Sequence, residues 1–350
     1  MTAAAPVDPD LRIIDCHTHV QRSADHGQEL WEYFLARTPM TGYEQESPSN
    51  GTVPDVRAMM RDLGVVHANM LMFTWSGRYW RDGLRVLPDS GAERTRAMDE
   101  LRRRICDRIR SNNSWAADEC ARADDLSFFC GVDPVLMPEA EVIAELERAR
   151  LAGARGVKIV PFDLRITGAD RRLWPVYDWC ARNSVPLLSE SGSRETSPGR
   201  PRHFESALRD FPELTIIFAH MGHSPVLGEA GDAEVLDLAT RFEGVHTDVS
   251  LRFNDVAAGS VSQVEMVEHV RRIGIDRVLY GSNFPFCDIV AESRSAREPH
   301  REVANAVSVL RTLPLTDSER SLIASGNFER LTGYPAPTSN SQQFPERSEL

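Results

Sequence analysis

Short apolar runs alternate with helix-patterned stretches along almost the whole chain, and this alternation limits the fold more than any single motif does. Runs at Leu11–Ile14, Val65–Phe73, Phe128–Val132, Gly156–Phe162, Val185–Ser191, Leu214–His220, Val245–Ser250 and Arg277–Pro285 read as buried strands. In Val53–Leu63, the residues Val56, Met59, Met60 and Leu63 recur at helical spacing, and Gly64 stops the helix. Pro138–Leu151, Arg171–Arg182, Arg202–Arg209, Ala233–Arg241, Ser262–Ile273, Pro299–Leu310 and Asp317–Thr332 are helical in the same way. Eight strands, each followed by helical sequence, predict an α/β fold, a (β/α)8 TIM barrel.

Two stretches interrupt the rhythm. Gln21–Gly51 is polar and too long for a plain connector. Residues 74–127 form a helical insertion after strand two, with Met98, Leu101, Ile105 and Ile109 on one helical face. Trp75, Tyr79 and Trp80 open that insertion, where barrel enzymes place substrate contacts. The chain thus divides into an N-terminal extension, 1–10, a barrel, 11–334, and a tail, 335–350, whose Pro, Ser and Gln content predicts disorder.

The first strand ends in Asp15-Cys16-His17-Thr18-His19. Alternation turns His17 and His19 to one face, opposite Cys16 and Thr18, where two imidazoles can grip one cation. In a barrel, functional residues sit at the C-terminal ends of strands. Those ends also carry Lys158, Glu190, His220, Asp248 and Asn283. Neutral imidazoles with a carboxylate suit one divalent ion, zinc first, with manganese or iron as alternatives. Of 40 Lys and Arg residues only Lys158 is lysine, the one cation in the chain able to act as a compact point charge or lose its proton.

A net charge of −12 argues against nucleic acid or an anionic membrane as partner and leaves a small-molecule substrate. No apolar run approaches the roughly 20 residues that cross a bilayer. Met1–Asp10 lacks the pattern of a secretory signal, and the six cysteines form no C-x-x-C pair; both point to a reducing cytoplasm.

The segments IIDCHTHV, GVKIVPF, DFPELTIIFAHMG, YGSNFPF and SERSLIASGNFERLTG resemble the amidohydrolase superfamily. The resemblance is to its amidohydrolase-related, or type 2, family of aromatic-acid decarboxylases and lactonase-like hydrolases, over nearly all of Leu11–Tyr334. It implies a metal-dependent barrel enzyme with His17, His19 and His220 as ligands, and a homodimer, since relatives often pair. Two positions depart from the family pattern. Glu190 stands where the family has histidine, and Asn283 where it has the aspartate that serves as ligand and base. The expectation is that Glu190 takes over as ligand, base or both. His223 moves a proton, Asn283 orients water or substrate, and Lys158 pairs with Glu190 or a substrate anion rather than bridging two metals.

The expected activity is hydrolysis of an amide, ester or lactone carbonyl. The alternative is non-oxidative decarboxylation of an aromatic or enoic acid, and a non-catalytic barrel ranks third. Asp248 and Asp288 read as spare carboxylates near the mouth, and His26, Arg78, Arg81 and Arg194 as loop residues able to meet substrate. His67, His203, His246, His269 and His300 read as structural.

Overall fold

The computed structural model describes residues 10–35, 49–192, 194–290 and 300–334. The expectations for the N-terminal extension before Asp10 and for the tail lie outside these residues, as does much of Gln21–Gly51. Eight parallel strands form one sheet in sequence order: β1 (Ile13–Thr18), β2 (Val65–Leu71), β3 (Leu126–Gly131), β4 (Gly156–Ile159), β5 (Leu187–Ser189), β6 (Ile216–Phe218), β7 (Val245–Asp248) and β8 (Val278–Leu279). The segment from β8 onward returns to β1 through Cys16 N–H to Tyr280 O at 3.0 Å, Asn283 N–H to His17 O at 2.8 Å and His19 N–H to Phe284 O at 2.7 Å. The chain is a TIM barrel, as the alternation predicts.

The helices in chain order are α1 (Ala24–Leu35), α2 (Val53–Leu63), α3 (Ser76–Leu84), α4 (Gly91–Cys120), α5 (Glu139–Leu151), α6 (Pro161–Leu164), α7 (Trp174–Asn183), α8 (Glu205–Asp210), α9 (Ala230–Arg241), α10 (Arg252–Ala257), α11 (Gln263–Ile273), α12 (Phe286–Val290), α13 (Arg301–Thr312), α14 (Asp317–Ser321) and α15 (Asn327–Thr332). α2 begins with Pro54 in its first turn and ends at Gly64 with φ +72°, the start and stop that the sequence signals. The region after β2 is two helices rather than one. The second half of α4 does the work of a barrel helix: Ile105, Cys106, Ile109 and Ala116 are buried, and Asn113 both accepts from Gly131 N–H and donates to Gly131 O at the end of β3, each at 2.9 Å.

The barrel interior is a packed layer. Ile14, Cys16, Leu71, Phe129, Leu188, Ile217, Ala219 and Leu279 meet there, and Phe328 of α15 joins them. A Cβ on Gly156 would come within 2.5 Å of the Phe129 ring, so glycine on β4 makes room for that phenylalanine. Two residues on from Gly156 and Leu188, alternation turns Lys158 and Glu190 inward as well, at the C-terminal end of the barrel. The larger apolar cluster lies between the strands and the helical ring.

Candidate metal centre

The site begins with an irregularity in β1. Asp15 pairs with Ala68 and Thr18 with Met70, so β1 spends three steps where β2 spends two. This is a bulge, and it breaks the alternation. Thr18 still faces away, donating to Asn69 O at 2.8 Å, but Cys16 packs in the barrel interior, not opposite His17 as strict alternation expects. Asp15 anchors the bulge by accepting N–H bonds from His17 at 3.1 Å and Ser282 at 2.9 Å.

His17 and His19 bring their Nε2 atoms within 3.1 Å of each other, with ring planes at 73°. Both rings are buried, and burial above all pushes their pKa well below the usual 6.5, so both are neutral at pH 7. Phe286 stacks on His19 at 4.4 Å and Phe73 stands edge-on at 5.2 Å, which fixes that ring from two sides. Neutral, immobilised imidazoles with nitrogens this close can both reach one ion at about 2.0–2.1 Å.

Asp248, at the end of β7, is the hub. Its Oδ2 accepts from His17 Nδ1 at 2.8 Å. Its Oδ1 accepts from His220 N–H at 3.1 Å, Ser250 N–H at 3.0 Å and the Ser250 hydroxyl. Ser250 Oγ in turn lies 2.7 Å from His220 Nδ1. Donor atoms of His17, His220 and Asp248 all fall within 4.8 Å of one another, the metal-type cluster among the described residues. A carboxylate bound to histidine Nδ1 leaves Nε2 bare for a cation. The donor set therefore fits a divalent ion, with Asp248 already occupied as the group that orients the ligands.

His220 reaches this cluster by an unusual backbone. Ala219 faces inward, so alternation alone sends His220 outward. Instead, residues 220–223 make a left-handed turn, with φ of +58° at His220, +51° at Met221, +86° at Gly222 and +53° at His223. The three non-glycine members cost roughly 1–2 kcal/mol each. Asp248 holds the turn from one side, and Gly222 lies so close to Gly231 that a Cβ would sit 2.3 Å from it. The result stacks His220 on His17, centroids 4.9 Å apart and planes at 27°. Stacked rings aim their in-plane lone pairs nearly parallel, which suits ligation of one ion less well than the His17–His19 pair.

The remaining expected residues divide. Asn283 is in place: its Oδ1 lies 3.0 Å from His19 Nε2, and its φ of +67° is one that asparagine tolerates. Glu190 stands apart from that cluster. The carboxylate beside the histidines is Asp248, and no metal-type cluster among the described residues includes Glu190. Its Oε2 is buried without a hydrogen-bond partner among the described residues, close against Gly199, and burial raises its pKa while Lys158 opposes that rise. Lys158 is buried too, and desolvation brings it down to about 8 against the pull of Asp248 and Glu190. Neither carboxylate forms an ion pair with it within 4.0 Å. His223 is exposed on the rim, edge-on to His220 at 5.3 Å.

A pocket with about 640 Å³ of empty space, part of it open solvent, runs from His19 between α1, α3 and α4. Trp75, Arg78, His26, Tyr79, Arg108 and Trp115 line it, so two of the expected loop residues, His26 and Arg78, do face the site. Arg81 does not: it is bound to Asp163, whose carboxylate also caps Gly77 and Arg78 N–H. Asp288 caps Glu302 N–H at 2.9 Å and is structural, with burial lifting it to about 6. Arg194 lies exposed in the loop after β5. His67 bonds Ser127 and Asp124 O, His246 bonds Gly244 O and His203 bonds Pro198 O, away from the mouth. Sequence reasoning missed Ser250 and the aromatic clamp of Phe73 and Phe286; the only signal was their position just past the ends of β7, β2 and β8.

A family model described as Amidohydrolase matches residues 14–333. No curated protein sequence matches the chain. Solved structures share the fold. An uncharacterised TIM-barrel protein of Bordetella bronchiseptica is 19% identical, with a TM-score of 0.63 over 93% of this chain and 99% of that one. A dihydroxybenzoic acid decarboxylase of Polaromonas sp. JS666, with bound manganese and an inhibitor, is 15% identical, with a TM-score of 0.58 over 92% and 97%. A probable 2-pyrone-4,6-dicarboxylic acid hydrolase of Acinetobacter baumannii is 14% identical, with a TM-score of 0.53 over 92% and 99%.

Proposed function

The chain belongs to the amidohydrolase family, and on that premise we propose that it is a metal-dependent hydrolase cleaving an amide, ester or lactone carbonyl of a small molecule. The observation that carries this reading is the His17–His19 pair, neutral, clamped, and with Nε2 atoms 3.1 Å apart. A divalent ion held there, zinc first, would polarise the substrate carbonyl and lower the pKa of adjacent water toward about 7. Asn283 sets its Oδ1 beside His19 Nε2, where it would face the same ion, and offers its amide N–H to substrate or water. It takes no proton, so the base must come from elsewhere. His220 is the best placed group, with Nδ1 engaged by Ser250 and its ring stacked beside His17. Glu190, His223 and Lys158 stand around the same mouth; Glu190, its carboxyl favoured in the neutral form by burial, serves the leaving group. The aromatic and cationic pocket beside His19 takes the rest of the substrate.

A second reading, decarboxylation, is favoured by one feature. Asparagine at position 283 removes a negative charge next to His19, and Arg78 and Arg108 line the adjoining pocket, an environment that receives a substrate carboxylate. One experiment separates the two. The purified protein, analysed for metal and loaded with zinc, manganese or iron(II), is incubated with lactones, amides and hydroxybenzoates in heavy-oxygen water. Label in the product carboxyl without CO2 supports hydrolysis, and CO2 release supports decarboxylation. Preparations that hold no metal and cannot be loaded overturn both.

A further inference from the structure

We infer that Ser250 is a positioning residue that fixes the tautomer of His220, by relaying the carboxylate of Asp248 to the His220 ring. The inference rests on His220 as the proton-transfer group proposed above. Ser250 is fully buried, and its hydroxyl touches three groups: Asp248 Oδ1, His220 Nδ1 at 2.7 Å and His17 Nδ1 at 3.3 Å. A hydroxyl has one proton and two lone pairs, whereas an ionised carboxylate only accepts. The Ser250 proton therefore goes to Asp248 Oδ1, and the lone pairs are left facing the imidazoles. A lone pair facing Nδ1 requires the proton of the neutral ring to sit on that nitrogen, so Nε2 of His220 is bare.

His17 reaches the same tautomer by a different route, because Asp248 Oδ2 accepts from its Nδ1 directly at 2.8 Å. One carboxylate thus sets two rings, one directly and one through a hydroxyl. The arrangement separates their work. His17 presents a bare Nε2 to the ion, with His19 beside it. His220, set further along the stack, presents a bare Nε2 to a proton. Nothing else in contact with His220 Nδ1 among the described residues would hold that tautomer.

The test reads the rings themselves and needs no substrate. The protein carries ten histidines, few enough for proton–nitrogen correlation spectra of histidine-labelled protein, recorded as purified and after zinc loading, with His17→Gln and His220→Gln variants used to assign signals. The expected pattern is Nδ1–H at both His17 and His220. In Ser250→Ala the ratio of Nδ1–H to Nε2–H at His220 falls by about fivefold or more, the loss of one hydrogen bond. His17 keeps Nδ1–H, since its own bond to Asp248 survives, and this rules out a general loss of structure. Ser250→Thr, which keeps the hydroxyl, keeps the pattern at both rings. An Nε2–H form of His220 in the unsubstituted protein overturns the inference, as does an unchanged His220 in Ser250→Ala. Should Ser250→Ala not fold, Ser250→Cys, a weaker acceptor, gives the same reading in the same direction. An overturned relay leaves the metal and product measurements above untouched, and a protein that binds no metal still reports its tautomers.

Discussion

At the scale of single residues, the centre is defined by which imidazole nitrogens are held and which are free. His19 is clamped by aromatic rings, its Nε2 lies 3.0 Å from Asn283 Oδ1, and its Nδ1 has no partner among the described residues. Replacing it with alanine leaves the His17–Asp248 pair intact and lowers zinc affinity by about 100-fold or more, measured by competition with a chelator. Asn283→Asp moves the other way. It sets a carboxylate 3.0 Å from His19 Nε2, on a backbone that aspartate also tolerates, and raises affinity for zinc or manganese by about 10-fold in the same assay. Away from the mouth, His246 shows what burial does without a metal. Its pKa is lowered to about 4, chiefly by desolvation, against 6.5 in the unfolded chain. Below pH 6.5 the unfolded chain gains a proton there that the folded chain refuses until about pH 4. Stability from this residue is therefore full above 6.5 and is lost as the pH falls toward 4, by up to about 3 kcal/mol. Chemical denaturation of the parent and His246→Gln at pH 7.5 and 4.5 checks this: the parent loses ground to the variant on acidification.

At the scale of elements, irregular geometry does what regular alternation cannot. The β1 bulge puts Cys16 in the interior and still aims His17 and His19 together, and the left-handed turn after β6 swings His220 back over the barrel. The helix pair α3–α4 is anchored at two points: Asp163 caps α3, and Asn113 clips α4 to β3 and to Glu145 of α5 at 2.7 Å. Asn113→Ala leaves buried partners unsatisfied and costs about 2–3 kcal/mol in denaturant unfolding. Because this clip also sets the wall of the pocket that contains Asn112 and Trp115, the same variant loses substrate affinity before it loses metal.

At the scale of the molecule, the residues of the centre come from β1, from β7 and the turn after β6, and from the segment that closes the barrel, so the centre and the closed ring depend on each other. Zinc at about 100 times its dissociation constant stabilises the folded chain by about 2.7 kcal/mol, a rise of a few degrees in Tm, and chelation reverses it. His19→Ala abolishes the response in differential scanning fluorimetry. A zinc-independent Tm in the parent protein contradicts the site. No described helix is long and apolar enough to cross a membrane.

The order of eight strands, the extent of α2 and the positions of His17, His19 and Asn283 at strand ends follow from the sequence alone, because hydrophobic period and helix stops are local and a parallel barrel exposes the same end of each strand. Whether Glu190 or Asp248 stands beside the histidines is beyond that reasoning: both are inward residues at strand ends, and only the closed barrel brings Asp248 to His17 and leaves Glu190 against Gly199. Ser250 and the inward swing of His220 belong to the tertiary structure too, since each depends on backbone that departs from strand geometry, and period-based reading carries no information once the period is broken.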